Sequence, residues 1–122
     1  MTDSGCVFCE IVSGRAPATV VREWGDALAI VPLGPVVEGH TLVIPKQHVA
    51  DFGEDPEVSA VTMRRAAELA AGDAPMNIIT SRGREATQSV FHLHLHLVPR
   101  RENDGLALPW YSGHTRRRTV RG

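Results

Sequence analysis

The stretch Ser89-Val90-Phe91-His92-Leu93-His94-Leu95-His96-Leu97-Val98-Pro99 decides how this chain is read. Side chains on a β-strand point to opposite faces in turn, so a strand over 90–98 places His92, His94 and His96 on one face and Leu93, Leu95 and Leu97 on the other. The leucines go to the core, which leaves the histidine face open to a ligand or to solvent. Neighbouring rings at i, i+2 lie roughly 6.5 Å apart, close enough to act on one bound molecule. Three readings of that face follow. A solvated polar face would be served as well by Ser, Thr, Lys or Glu. A three-histidine metal centre has suitable His-x-His geometry, although catalytic zinc sites of that kind usually take a ligand from elsewhere in the chain. In the third reading a neutral imidazole attacks phosphorus while its other nitrogen donates to a carbonyl or carboxylate that sets the tautomer.

Working outward, turn residues divide the rest of the chain into short elements. The spacing predicts a short helix over 6–13 ended by Gly14, and a hairpin of strands 19–24 and 27–31 turning at Gly25-Asp26. A loop at Pro32-Leu33-Gly34-Pro35 follows, then a buried strand over 41–44 closed by Pro45. Residues 58–71, rich in Ala, Arg and Glu without Pro or Gly, predict the one long helix, stopped by Gly72, and 77–80 predicts a further strand. Strands paired with few helices in this order imply an antiparallel α+β fold, not a doubly wound sheet.

The 122 residues are a single-domain length, and 43% hydrophobic with 22% charged residues is globular composition. No apolar run approaches the ~20 residues of a membrane span and no signal peptide is evident, so no membrane partner is expected and the default compartment is the cytoplasm. The formal charge of −1 argues against a nucleic-acid-binding surface. It is unevenly spread: without Arg116, Arg117, Arg118 and Arg121 the remainder carries 9 basic against 14 acidic side chains, a net of −5. We therefore divide the chain into a domain over 1–111 and a basic, flexible tail over 112–122, in which His114 is solvated. Cys6 and Cys9 stand in Cys-x-x-Cys spacing, which serves a redox pair, half of a metal site, or neither.

The histidine strand resembles the His-φ-His-φ-His-φ-φ signature (φ apolar) of the histidine triad, or HIT, superfamily of nucleotide hydrolases and transferases. The likeness extends to Cys6-Val7-Phe8-Cys9-Glu10-Ile11-Val12-Ser13-Gly14, to Gly39-His40-Thr41-Leu42-Val43-Ile44-Pro45-Lys46-Gln47-His48, and to Gln88-Ser89 before the triad. It implies a HIT-like fold, a five-stranded antiparallel sheet with one long and one short helix, joined into a ten-stranded sheet in a homodimer. It also implies cleavage at the α-phosphate of a nucleoside phosphoramidate or dinucleoside polyphosphate, with an adenosine-containing substrate. His94 would be the nucleophile, supported by His96, His40 and His92, with Gln88, Ser89 and Ser81 contacting phosphate. A non-catalytic nucleotide-binding module on the same fold is the alternative. No cofactor is required for catalysis in such proteins, but some bacterial members hold a structural zinc, which here would fall to Cys6, Cys9, His48 and His92. Trp110 would pack at the dimer seam or reach the substrate. One departure stands out: Pro32 occupies the position where relatives carry an Asp or Asn that grips the ribose hydroxyls, and a proline side chain can neither donate nor accept.

Overall fold

The structure is a computed structural model that describes residues 5–109; the expectations for Trp110, Tyr111, His114 and the 112–122 tail lie outside the described residues. In chain order the elements are α1 (Val7–Val12), β1 (Val20–Glu23), β2 (Ala27–Ile30), β3 (Thr41–Pro45), α2 (Pro56–Leu69), β4 (Met76–Ile79) and β5 (Leu95–Pro99), with a 3-10 turn at Arg84–Ala86. The strands form one antiparallel sheet in the order β1-β2-β3-β5-β4. The α+β class is the one expected from the sequence.

Period-two alternation gives the sheet two apolar faces. Ala29, Val43, Leu95 and Leu97 pack with Val58 and Ala66 of α2. Leu28, Ile30, Leu42 and Ile44 pack with Cys6 and Phe8 at α1 on the other side. The long helix begins two residues before the expected 58. Asp55 caps it by accepting from the Glu57 N–H at 3.0 Å, and Pro56 fills the first turn, where a missing N–H costs nothing.

The triad strand is shorter than its sequence pattern, and this corrects the expected 90–98. Val43 pairs with Leu95, and the ladder stops there because Pro45 has no N–H to extend it toward residue 93. The backbone of 92–94 is tied elsewhere: the Leu93 N–H donates to the Val49 carbonyl at 2.8 Å, and the Thr80 hydroxyl to the His94 carbonyl at 2.8 Å. Alternation nevertheless persists through the irregular part. Leu93 joins the α2 cluster, while His92 and His94 both lie edge-on to the Phe8 ring of α1.

Candidate active site and metal centre

His96 sits on β5 opposite Leu42 of β3, on the α1 face of the sheet, and His40 immediately precedes β3. Gly39 sets the approach of His40. Its φ of 90° is left-handed, and a Cβ there would stand 3.1 Å from Pro99 Cγ.

Hydrogen bonds to groups of fixed polarity define where each imidazole proton lies. The Val36 N–H donates to His40 Nδ1 at 3.1 Å, so His40 carries its proton on Nε2 and donates it to His96 Nδ1 at 3.0 Å. His96 in turn is protonated on Nε2. The His92 carbonyl can only accept, so His94 donates Nδ1–H to it at 2.7 Å and keeps an unprotonated Nε2. One ring thus offers a lone pair and its neighbour, 5.1 Å away between centroids, offers an N–H.

Burial keeps all three neutral. It lowers His40 below the usual imidazole range, and lowers His94 against an opposing contribution from the His92 carbonyl bond. His96 is pushed down to about 4, mainly by burial and further by His94 and His40 beside it. A neutral imidazole at pH 7 is the form that can attack.

His94 and His96 form part of the walls of two cavities. The larger, about 730 Å³, reaches from Ser89 past Phe8, Ile30, Leu42 and Pro32. The smaller, about 290 Å³, adds His40, Ser81, Thr87, Gln88 and Arg100. Both volumes lie at or within the roughly 300–1,000 Å³ of small-molecule sites. Ser81 and Ser89 therefore face different cavities. Gln88 is buried and its amide is committed: Oε1 accepts the Gly83 N–H at 2.8 Å, and Nε2 donates to the Ala50 and Val90 carbonyls at 2.7 and 3.1 Å. Both amide hydrogens are used, so in this arrangement Gln88 braces the 83–90 loop and has none to give to a phosphate oxygen.

His92 differs from its two triad partners. It is fully buried, not on an open face, which corrects the expectation of three accessible rings. Its Nε2–H donates to the Pro45 carbonyl at 2.9 Å, leaving the Nδ1 lone pair 3.3 Å from Cys6 Sγ, 3.5 Å from Cys9 Sγ and 3.1 Å from His48 Nδ1. Cys9 Sγ lies 3.2 Å from His48 Nδ1, and the four ligand atoms are all within 4.8 Å of one another. Ligands at the ~2.0–2.3 Å bond lengths of tetrahedral zinc are separated by roughly 3.3–3.8 Å. Two thiols and two imidazole nitrogens converging at such distances fit a metal ion, and these four residues could hold one.

Three polar contributors carry no sequence signature. Thr80 holds the His94 carbonyl, and Arg100 in the smaller cavity is clasped by Asp104 at 2.8 and 3.0 Å and by Asn77 at 2.6 Å. The Asp104 carboxyl is held far below the usual range, chiefly by the Arg100 guanidinium. Thr80 and Asn77 meet their partners across the fold, while Arg100 and Asp104 lie four residues apart around an irregular turn that no helix or strand spacing reads.

Fold and site together define a histidine triad protein. The HIT domain profile matches residues 13–103, and the chain belongs to that family. It is 41% identical over 110 residues, 84% of this chain and 76% of the other, to a HIT-like protein of Mycobacterium tuberculosis. Over 111 residues it is 35% identical to the adenosine 5′-monophosphoramidase hnt1 of Schizosaccharomyces pombe, covering 88% of this chain and 84% of that one. The crystal structure of a zinc-bound histidine triad family protein from Mycobacterium smegmatis superposes with a TM-score of 0.69 at 39% identity, covering 85% of this chain and 81% of that one. Family membership supports nucleotide hydrolase chemistry at the level of the family. Among the described residues no helix is long and apolar enough to cross a membrane.

Proposed function

We propose that the chain is a nucleotide hydrolase or transferase cleaving at the α-phosphate of a nucleoside phosphoramidate or dinucleoside polyphosphate. The observation that carries this reading is the proton arrangement: the His92 carbonyl holds His94 Nδ1–H and leaves Nε2 as a lone pair, beside an N–H on His96. His94 Nε2 attacks phosphorus, a P–Nε2 bond forms, and the P–N or P–O bond to the leaving group breaks with its electron pair. An amine leaving group takes its proton from water. His96 Nε2–H hydrogen-bonds the phosphoryl and leaving atoms as charge develops there, held in place by His40. A water molecule then adds to phosphorus, a P–O bond forms, its proton passes to solvent, where it neutralises the hydroxide left by an amine's protonation, and the P–Nε2 bond breaks to free His94. Ser89 and Ser81 offer hydroxyls to the phosphate from opposite cavities, and Gln88 acts by bracing the loop between them. The smaller cavity takes the leaving group and the larger takes the nucleoside.

A structural zinc belongs on Cys6, Cys9, His48 and His92 and takes no part in the bond changes at phosphorus; when bound it ties the N-terminal segment to the sheet. The resemblance to HIT proteins also supports a homodimer, for which edge strand β4 presents the exposed Ile78 and Ile79. The alternative of a non-catalytic nucleotide-binding module is favoured by the apolar character of the larger cavity around Pro32. Turnover of a fluorogenic adenosine phosphoramidate beside diadenosine polyphosphates, with His94→Ala as control, separates the two. Turnover of either substrate lost in His94→Ala supports the hydrolase. Binding without turnover above that variant leaves the module, and activity that survives in His94→Ala but disappears with a chelator points instead to a metal centre.

A further inference from the structure

The larger cavity divides sharply by chemistry. Among the described residues that line it, hydrogen-bonding side-chain atoms come only from Ser89, His94, His96 and Thr19. The first three form the reactive end, where a phosphate would be held. The rest of the wall is lined by hydrocarbon side chains: Phe8 from α1, Ile30 at the end of β2, Pro32 and Leu33 in the loop between β2 and β3, and Leu42 on β3. Pro32 is half-buried, and neither its ring nor its backbone nitrogen has a hydrogen to donate. No carboxylate or carboxamide faces this cavity among the described residues.

A ribose presents two adjacent hydroxyls, and the side chain that best holds both is a carboxylate accepting from each. Thr19 offers a single hydroxyl oxygen where a carboxylate offers two. We propose that this site, read as the nucleoside pocket of the preceding section, does not discriminate ribose from 2′-deoxyribose, and that Pro32 is the residue that removes the discrimination. The substrate class then includes deoxyribonucleoside phosphoryl compounds as well as ribonucleoside ones, recognised by the phosphate at the histidines and by apolar packing of the base.

The size of the expected effect follows from an asymmetry in recognition. A site built to hydrogen-bond a hydroxyl rejects the analogue lacking it by roughly 10⁴–10⁵, whereas an apolar site responds weakly to the same change. A hydroxyl left unpaired against the Pro32 wall is, if anything, a cost to the ribonucleotide.

The test uses the full chain loaded with zinc. Binding of AMP, 2′-deoxy-AMP and 2′,3′-dideoxy-AMP is measured by calorimetry, and kcat/KM for the adenosine and 2′-deoxyadenosine phosphoramidates by product release. The expected ribose-to-deoxyribose ratio is below about fivefold in both measurements, and Pro32→Asp raises it at least fivefold by adding the missing acceptor pair. A wild-type ribose preference above fivefold overturns the inference while leaving the nucleotide reading intact. An unchanged ratio in a folded Pro32→Asp variant overturns the assignment to Pro32. If no nucleotide binds, with or without its hydroxyls, the nucleotide reading itself fails and takes this inference with it.

Discussion

Replacing Gln88 by methionine keeps the length and most of the volume of the side chain and deletes three hydrogen bonds. The Gly83 N–H, the Ala50 carbonyl and the Val90 carbonyl each lose a partner at 2.8, 2.7 and 3.1 Å. Each bond contributes a net of about 0.5–1.5 kcal/mol, and partly buried groups left unpaired take the loss to the upper part of that range. The expected destabilisation is about 3 kcal/mol, which at a urea slope of about 1–1.5 kcal/mol per molar moves the unfolding midpoint down by roughly 2–3 M. Gln88→Glu sharpens the reasoning. A carboxylate still accepts from Gly83 but cannot donate to either carbonyl, so it retains one bond of the three and falls close to the methionine variant. Urea denaturation of all three proteins, zinc-loaded and at one pH, reads both changes. A methionine variant within about 0.4 M of wild type would show that this amide does not brace the loop, and a glutamate variant indistinguishable from wild type would show that its two donated bonds carry no energy.

Other consequences are equally direct. Folded His96 titrates at about 4 against about 6.5 in an unfolded chain, so the unfolded state takes up its proton first as the solution is acidified. Stability from this residue is complete above about pH 6.5 and is lost as pH falls toward 4, and His96→Gln flattens that part of the urea-midpoint profile relative to wild type; parallel profiles would contradict the shift. Thr80→Val removes the hydroxyl that holds the His94 carbonyl, costing about 1 kcal/mol of stability and lowering kcat with KM little changed, whereas a fall in stability alone would make the bond purely structural. Zinc at a free concentration a thousandfold above its Kd adds about 4 kcal/mol of apparent stability to the apo chain and raises its melting temperature, and Cys9→Ser reduces that gain; equal gains in both proteins would place the metal elsewhere.

How much of this was legible in the sequence depends on whether a residue's role is set by its neighbours in the chain or by contacts across the fold. The strands β2 and β3 and the helix α2 are bounded by prolines and glycines, and their two-fold and helical patterns survive folding. The assignment of leucines and histidines to opposite faces was also readable, but that Leu93 meets α2 and His94 meets Phe8 was not. The end of the β5 ladder was not. It is set by the missing N–H of Pro45, which becomes relevant only once β3 lies beside β5. The same holds for the site. Motifs name His40, His94 and His96, but the donors and acceptors that assign their protons are backbone groups of Val36 and His92, which no side-chain pattern reveals. Thr80 is silent until its partner is in view, and Arg100 and Asp104, although four residues apart, pair around an irregular turn rather than on a helix face.

The geometry around His92 shows why the Cys6, Cys9, His48 and His92 cluster and the reactive ring cannot be treated as separate objects. The side chain of His92 turns inward to Cys6, Cys9 and His48, while its carbonyl holds Nδ1–H of His94. Cys6 and Cys9 bracket the first turn of α1, where the Cys6 thiol accepts the Cys9 N–H and caps the helix. Phe8, between them, lies against both His92 and His94 and also lines the larger cavity. A six-residue helix has little stability of its own. Its position over the sheet must come from packing and from whatever holds the two thiols to the two imidazoles. Displacing α1 would therefore move a cavity wall and loosen the residue whose carbonyl sets the nucleophile's tautomer in the same motion. Anchoring the N-terminal segment and aligning His94 are two effects of one buried histidine.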